Sequence, residues 1–272
     1  MNRELKRLLT AISFYTRVPV SRFLNYQENS FLPDTLKYLP VIGWIAGVFS
    51  ALVYVAGQYL FGRDIGILLS MTGTVLLTGA FHEDGFADAC DGFGGGWTKE
   101  KILVIMKDSR LGTFGVMGLA LVLALKFAAL QQTTSLGSVL PAGQRTLASV
   151  LLITGQFIAA HTLSRFASLI LVYRLEYVSG LESKVAPAVK RVGTAALLCA
   201  IFLTFLPVVC WILYTGRTRD FLIVLPVFLV SSLSGNYFRK WIGGYTGDCL
   251  GAVQQLTEVL IYLSMILIWK FT

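Results

Sequence analysis

VGTAALLCAIFLTFLPVVCWILY, residues Val192–Tyr214, runs for 23 positions without a charged side chain. About 20 apolar residues in a helix are enough to cross the hydrocarbon core of a bilayer. In lipid the backbone must satisfy its own hydrogen bonds, so such a run is read as a helix. Working outward, six further apolar runs follow the same logic: Leu39–Leu60, Ile65–Phe81, Thr113–Gln132, Leu147–Val172, Phe221–Phe238 and Val253–Phe271. The second and sixth of the seven are short and suit either a crossing or a re-entrant segment. Composition agrees. Of 272 residues, 55% are hydrophobic and 14% charged, against about 25% charged in a soluble domain. The expected fold is an all-α integral membrane protein, one polytopic domain over residues 1–272 with about seven transmembrane helices.

The ends of the spans carry the orientation. With the amino terminus inside, sixteen lysines and arginines fall in inside segments and five outside: Arg63, Arg145, Arg217, Arg219 and Lys270. That asymmetry obeys the positive-inside rule. The net charge of +8 therefore reads as topology and as attraction to anionic lipid or phosphate. No basic–aromatic module for nucleic acid is present. Residues 1–38 are expected to begin with an amphipathic surface helix, with Leu5, Leu8, Leu9, Ile12 and Tyr15 on one face. That reading is preferred to a cleavable signal, since no A-x-A-like site follows. The four cysteines (Cys90, Cys199, Cys210, Cys249) have no CxxC spacing, which argues against a zinc site or a disulfide framework. Two histidines, His82 and His161, are too few for a histidine-built metal site.

One connection is out of scale. Residues 82–112 join the second and third spans, whereas connections usually run about 4–6 residues. This long acidic segment, read as a loop on the inner side, begins FHEDGFADACDGFGGGW. Asp84, Asp88 and Asp91 are spaced i, i+4, i+7 and would form one stripe on a helix. Like charges at that spacing repel, and a divalent cation removes the conflict. Hard oxygen ligands suit Mg²⁺, with Mn²⁺ an alternative, substrate phosphates completing the shell. Glu83 lies a quarter turn away, at the edge of such a site. The plain alternative is a solvated acidic segment, but four acids within nine residues contain no base among them.

Three more clusters lie on the same side. Lys107 and Arg110, in KDSRLGTFG, can neutralise phosphate oxygens or act as a basic stop at the mouth of a span. His161 and Arg165 share one helix face, where Arg165 either snorkels to the interface or turns inward to hold an anion. In GGYTGDCLGAVQQLTEV, Gly243, Gly244 and Gly247 permit a sharp turn. Asp248 then takes an N-cap position, with Gly251, Gln255 and Glu258 on its face. An unpaired Glu258 at that depth would be costly, so it is expected to join Asp248 in a second carboxylate group facing the first.

EDGFADACDGFGGG, KDSRLGTFGV, AHTLSR and GGYTGDCLGA, in this order between apolar spans, together with TRVPV at Thr16–Val20, resemble the cobalamin synthase family of adenosylcobinamide-GDP ribazoletransferases. The resemblance covers Leu5 to Val259. It implies a transferase that joins adenosylcobinamide-GDP to α-ribazole or its 5'-phosphate and releases GMP. It implies Mg²⁺ held by Glu83, Asp84, Asp88, Asp91, Asp248 and Glu258, with Asp84, Asp88, Asp91 and Asp248 as the catalytic acids. Lys107, Arg110, Arg165 and the glycines 243, 244 and 247 would bind phosphate. The active site is expected on the cytoplasmic face of the inner membrane. A homo-oligomer, or association with other cobalamin-assembly enzymes, is compatible with the sequence. Two rivals differ in pattern. A CDP-alcohol phosphotransferase would carry D-G-x-x-A-R, and here Asp88 stands where arginine is expected. An ion-coupled transporter would place its acids in paired repeats near the midplane, and no repeat is visible.

Overall fold

The computed structural model describes residues 2–24, 35–135, 145–178 and 193–271. Lys184, Lys190 and Arg191, counted above for orientation, lie outside the described residues, as does Val192 at the start of the fifth expected span. Among the described residues ten α-helices follow in order: α1 Arg3–Tyr15, α2 Leu39–Phe61, α3 Arg63–Thr78, α4 Phe81–Gly95, α5 Lys99–Met106, α6 Thr113–Ser135, α7 Arg145–Arg174, α8 Thr194–Thr215, α9 Leu225–Ile242 and α10 Gly247–Phe271. Among the described residues there is no strand, only an isolated bridge between Tyr177 and Tyr245. Among the described residues six segments are long and apolar enough to cross a membrane: Leu36–Phe61, Thr113–Ser135, Ala148–Arg174, Thr194–Thr215, Thr218–Ile242 and Gly247–Phe271. A seventh is broken, since α3 and α4 pass that test only as a pair bent by 88°.

The acidic segment at 82–112 is therefore a pair of helices, α4 and α5, and not a loop. Its glycines serve close approach more than flexibility. A Cβ on Gly92 would strike the Met106 side chain at 2.5 Å, and one on Gly85 would come within 3.0 Å of the Asp248 Cα. The final span also begins earlier than its apolar run, at Gly247 instead of Val253.

Lipid offers no hydrophobic drive for helices to associate, so small residues and polar contacts must hold the bundle. The α2–α7 seam shows the first device. A Cβ on Gly43 would lie 2.6 Å from the Thr162 Cα, and one on Gly47 would lie 2.5 Å from the Ile158 Cα. The α2–α3 pair shows the second, with the Ser50 hydroxyl 2.9 Å from Ser70 Oγ and 3.1 Å from Thr74 Oγ1. Ser168 on α7 donates to the Leu250 carbonyl of α10 at 2.8 Å, and Ser231 on α9 donates to the Ala167 carbonyl of α7 at 3.1 Å. These contacts gather the start of α2, the last part of α7 and the start of α10 at one end of the bundle. The start of α1 lies there too. Glu4 on α1 accepts from Tyr38 Oη at 2.7 Å and Arg7 Nη1 at 2.5 Å, and pairs with Lys37. Those three partners hold the Glu4 carboxyl well below its usual range, at about 2.

Candidate active site at the α4–α10 contact

Gly79 and Ala80 separate α3 from α4, and both adopt left-handed backbone, at φ +66° and +59°. Glycine takes this conformation freely. Alanine pays about 1–2 kcal/mol for it, so tertiary contacts must enforce the elbow. Beyond it, α4 turns its glycine face onto the first turns of α10. A Cβ on Gly251 would meet the His82 carbonyl oxygen at 2.9 Å. This backbone-to-backbone contact sets Asp248 beside the acid stripe. Asp84 is exposed, Asp88 and Asp248 are half-buried, and the charges of Asp84 and Asp248 both act on Asp88. Asp248 lies inside the first turn of α10, and the capping role expected of it belongs to Thr246, whose Oγ1 accepts from Cys249 N at 3.3 Å. The Thr246 hydroxyl also lies 3.3 Å from Asp248 Oδ2.

The third acid of the stripe has a different task. Asp91 is buried, and its two oxygens accept from Gly112 N at 2.7 Å and Gly115 N at 2.8 Å. Backbone N–H groups at a helix start are unsatisfied within the helix, so Asp91 closes the amino-terminal end of α6. A Cβ on Gly112 would lie 2.5 Å from Asp91 Oδ1, which explains the glycine. Glu83 is also turned inward. Its Oε1 accepts from Gln255 Nε2 at 2.8 Å, across the α4–α10 seam.

Glu258 does not join Asp248. Ten residues of helix put them about 15 Å apart along the axis. Sharing a helix face is not sharing a height. Glu258 is 1% exposed and sits 2.6 Å from Lys126 Nζ of α6. Its other oxygen accepts from Gln254 Nε2 at 2.7 Å and lies 3.5 Å from His161 Nδ1. Arg165 belongs to this inner group. It is 1% exposed, donates from Nη1 to the His161 carbonyl at 2.9 Å, and has the charges of Glu258 and Glu83 around it. The buried side chain of Arg165 neither snorkels nor reaches the open acids.

Of the other cations, Lys107 ends α5 and is exposed. Arg110 is engaged by Asp108 through a fork, at 3.0 Å and 3.1 Å from Nε and 2.6 Å from Nη2. The pair holds the Asp108 carboxyl at about 2 and raises the Arg110 guanidinium. Asp108 was missed from the sequence, although its i+2 spacing to Arg110 was a readable signal. Lys99 was missed too: its Nζ lies 3.4 Å from where a Cβ on Gly243 would stand. Gly243 ends α9 with φ +82°, and the Gly244 position has no room for a side chain beside the Glu176 carbonyl. Tyr245 N donates to Glu176 O at 3.0 Å and Val178 N to Tyr245 O at 2.8 Å, pinning this turn to the end of α7. Gly247 faces open space.

Among the described residues, no three histidine, cysteine or acidic side chains form a ready-made metal cage. The open acids are a sparser donor set: Asp84, Asp88 and Asp248, all hard oxygen donors in mutual repulsion. Mg²⁺ is commonly held by one or two carboxylates plus substrate phosphates and water, so this set fits such an ion.

Comparison with known proteins gives a consistent picture. A model of the family described as Cobalamin-5-phosphate synthase matches residues 7–266. An adenosylcobinamide-GDP ribazoletransferase of Shewanella amazonensis is 38% identical over 269 residues, covering 98% of this chain and 97% of the relative. Its namesake in Leptospira biflexa is 35% identical over 271 residues, with 98% and 97% covered. No solved structure matches.

Proposed function

Because the chain belongs to the cobalamin-5-phosphate synthase family, we propose that it joins adenosylcobinamide-GDP to α-ribazole or α-ribazole 5'-phosphate at the cytoplasmic face of the inner membrane. The observation that carries the site is the Gly85–Asp248 backbone contact, which sets Asp84, Asp88 and Asp248 together at one end of the bundle. A ribose hydroxyl of the acceptor attacks the phosphorus next to the corrinoid arm. The new P–O bond forms as the bond to GMP breaks, and the hydroxyl proton passes to a carboxylate or to water. GMP leaves, and adenosylcobalamin or its 5'-phosphate remains. Asp84, Asp88 and Asp248 would hold Mg²⁺ or Mn²⁺, which when bound neutralises the diphosphate and stabilises the departing GMP. Lys107, at the end of α5, supplies positive charge for phosphate oxygens. Glu83 and Asp91 support the site by fixing α4 against α10 and α6. Phosphoryl transfer needs positioning and charge neutralisation above all, and these residues can provide both.

The family match disfavours the CDP-alcohol phosphotransferase and the transporter. The test is GMP release by purified, detergent-solubilised protein given adenosylcobinamide-GDP and α-ribazole 5'-phosphate, with and without EDTA. GMP formation that EDTA abolishes and Mg²⁺ restores is expected. Full activity after exhaustive chelation would remove the metal from this reading, and CMP release from a CDP-alcohol would replace it.

A further inference from the structure

The TRVPV segment has no place in the reaction as described, yet it touches the elbow from which the acid stripe starts. Helix α1 stops at Tyr15, and Thr16 closes it with its hydroxyl on the Ile12 carbonyl at 2.6 Å. The next residue is anchored elsewhere: Arg17 N donates to Leu77 O at 2.7 Å, at the end of α3. Its guanidinium lies close against Gly79. A Cβ there would stand 2.9 Å from Nη2 and nearer still to Nε, so a side chain would displace the guanidinium, and the φ of +66° itself favours glycine. The Arg17 side chain is exposed, and among the described residues no acceptor engages it.

The position of this cation follows from aromatic contacts. The rings of Phe14 and Tyr15 each lie 5.8 Å from that of Phe81, the first residue of α4, in edge-on geometry. Phe81, Asp84 and Asp88 are spaced i, i+3, i+7, so they share one stripe of α4 within about 60° at 3.6 residues per turn. The face that α1 covers at Phe81 is thus the face that carries both open acids. Tyr15 is also within electrostatic reach of Tyr245, three residues before Asp248. The end of α1 therefore lies against the start of α4, at the edge of the site.

We propose that Arg17 is a phosphate-binding residue on the rim of the site, gripping the diphosphate of the donor substrate; this rests on the reaction given above. A planar guanidinium held by its backbone, with no carboxylate in its fork, is built for bidentate contact with phosphate oxygens. A lipid headgroup presents the same oxygens, so the experiment must separate the two sources.

Arg17→Ala and Arg17→Lys, as full chains, are reconstituted in vesicles of phosphatidylcholine alone and with phosphatidylglycerol. Arg17→Ala is expected to raise the KM for adenosylcobinamide-GDP by about tenfold or more, equally in both vesicles. The KM for α-ribazole 5'-phosphate should stay within about twofold, and Arg17→Lys should recover part of the loss. In parallel, pyrophosphate with Mg²⁺ is titrated onto wild type and Arg17→Ala in detergent, where weaker binding by the variant is expected. Unchanged KM values and pyrophosphate affinity overturn the proposal. So does a defect confined to the anionic vesicles, which assigns Arg17 to lipid, or a shift in the acceptor KM alone. An equal change in both KM values with a lowered unfolding midpoint reduces Arg17 to a prop for the elbow. If wild type releases no GMP but pyrophosphate binding still depends on Arg17, the phosphate contact stands and the assigned reaction falls.

Discussion

Asp84 and Glu258 are carboxylates of one molecule with opposite surroundings. Asp84 is exposed on α4, with Asp88 and Asp248 repelling it and no cation in contact among the described residues. Glu258 is enclosed by Lys126, Gln254 and His161. Charge on an open face keeps its hydration and needs no partner within the fold. Charge in the interior must be cancelled on the spot, because an isolated ion there loses its hydration with nothing in return. The first arrangement leaves mutual repulsion unrelieved, and the second makes the membrane interior habitable for a glutamate.

The largest effect should come from breaking the interior pair. Lys126→Ala leaves a buried carboxylate short of its main partner, and a loss of about 3–5 kcal/mol is expected, read as a lower unfolding midpoint in detergent. Replacing both partners by Met and Leu should cost far less. A double variant as unstable as the single would show that the pair is not the unit. On the open face the sign reverses. Asp84→Asn or Asp88→Asn should cut turnover by more than about a hundredfold while the protein inserts and melts normally. Near-normal activity in either would reject the acid stripe.

Arg110 tests the boundary between these extremes. Its side chain is 88% exposed and paired with Asp108, and exposed pairs contribute roughly 0–1 kcal/mol. Arg110→Ala should change kcat/KM by less than about threefold, and a larger drop would return it to the phosphate group. The smallest effect belongs to Glu4. Its folded-state value of about 2 lies below the ordinary 4.5, so its contribution is present above about pH 4.5 and disappears as pH falls toward 2. Glu4 is partly exposed and screened, so less than about 1 kcal/mol is at stake. Comparing unfolding midpoints of wild type and Glu4→Gln at pH 6 and pH 3 should show a clearly smaller difference at pH 3.

Hydrophobic runs made the bundle legible, because a bilayer imposes one length on every crossing. They failed where a helix continues past its apolar part. Asp248 starts a span that hydropathy begins at Val253, and the 82–112 segment is helical although glycine-rich and acidic. Residue types and spacing single out Asp84, Asp88 and Asp248, and the fold brings these three acids together. Periodicity gives the face of a helix and not the height of its neighbours, and for this reason Glu258 was grouped with Asp248. Partners from distant segments were beyond reach: nothing local says that Lys126 meets Glu258 or that Arg165 is enclosed.

Asp91 ties α4 to the start of α6, Lys126 ties α6 to Glu258 on α10, and Gly85 ties α10 back to α4. Three rods fastened at three corners form a truss. A truss cannot shear unless a joint breaks, so the spacing between Asp84 and Asp248 is set partly by a fastening about 15 Å deeper along α10. A substitution at Lys126 should therefore be felt by substrate it never touches.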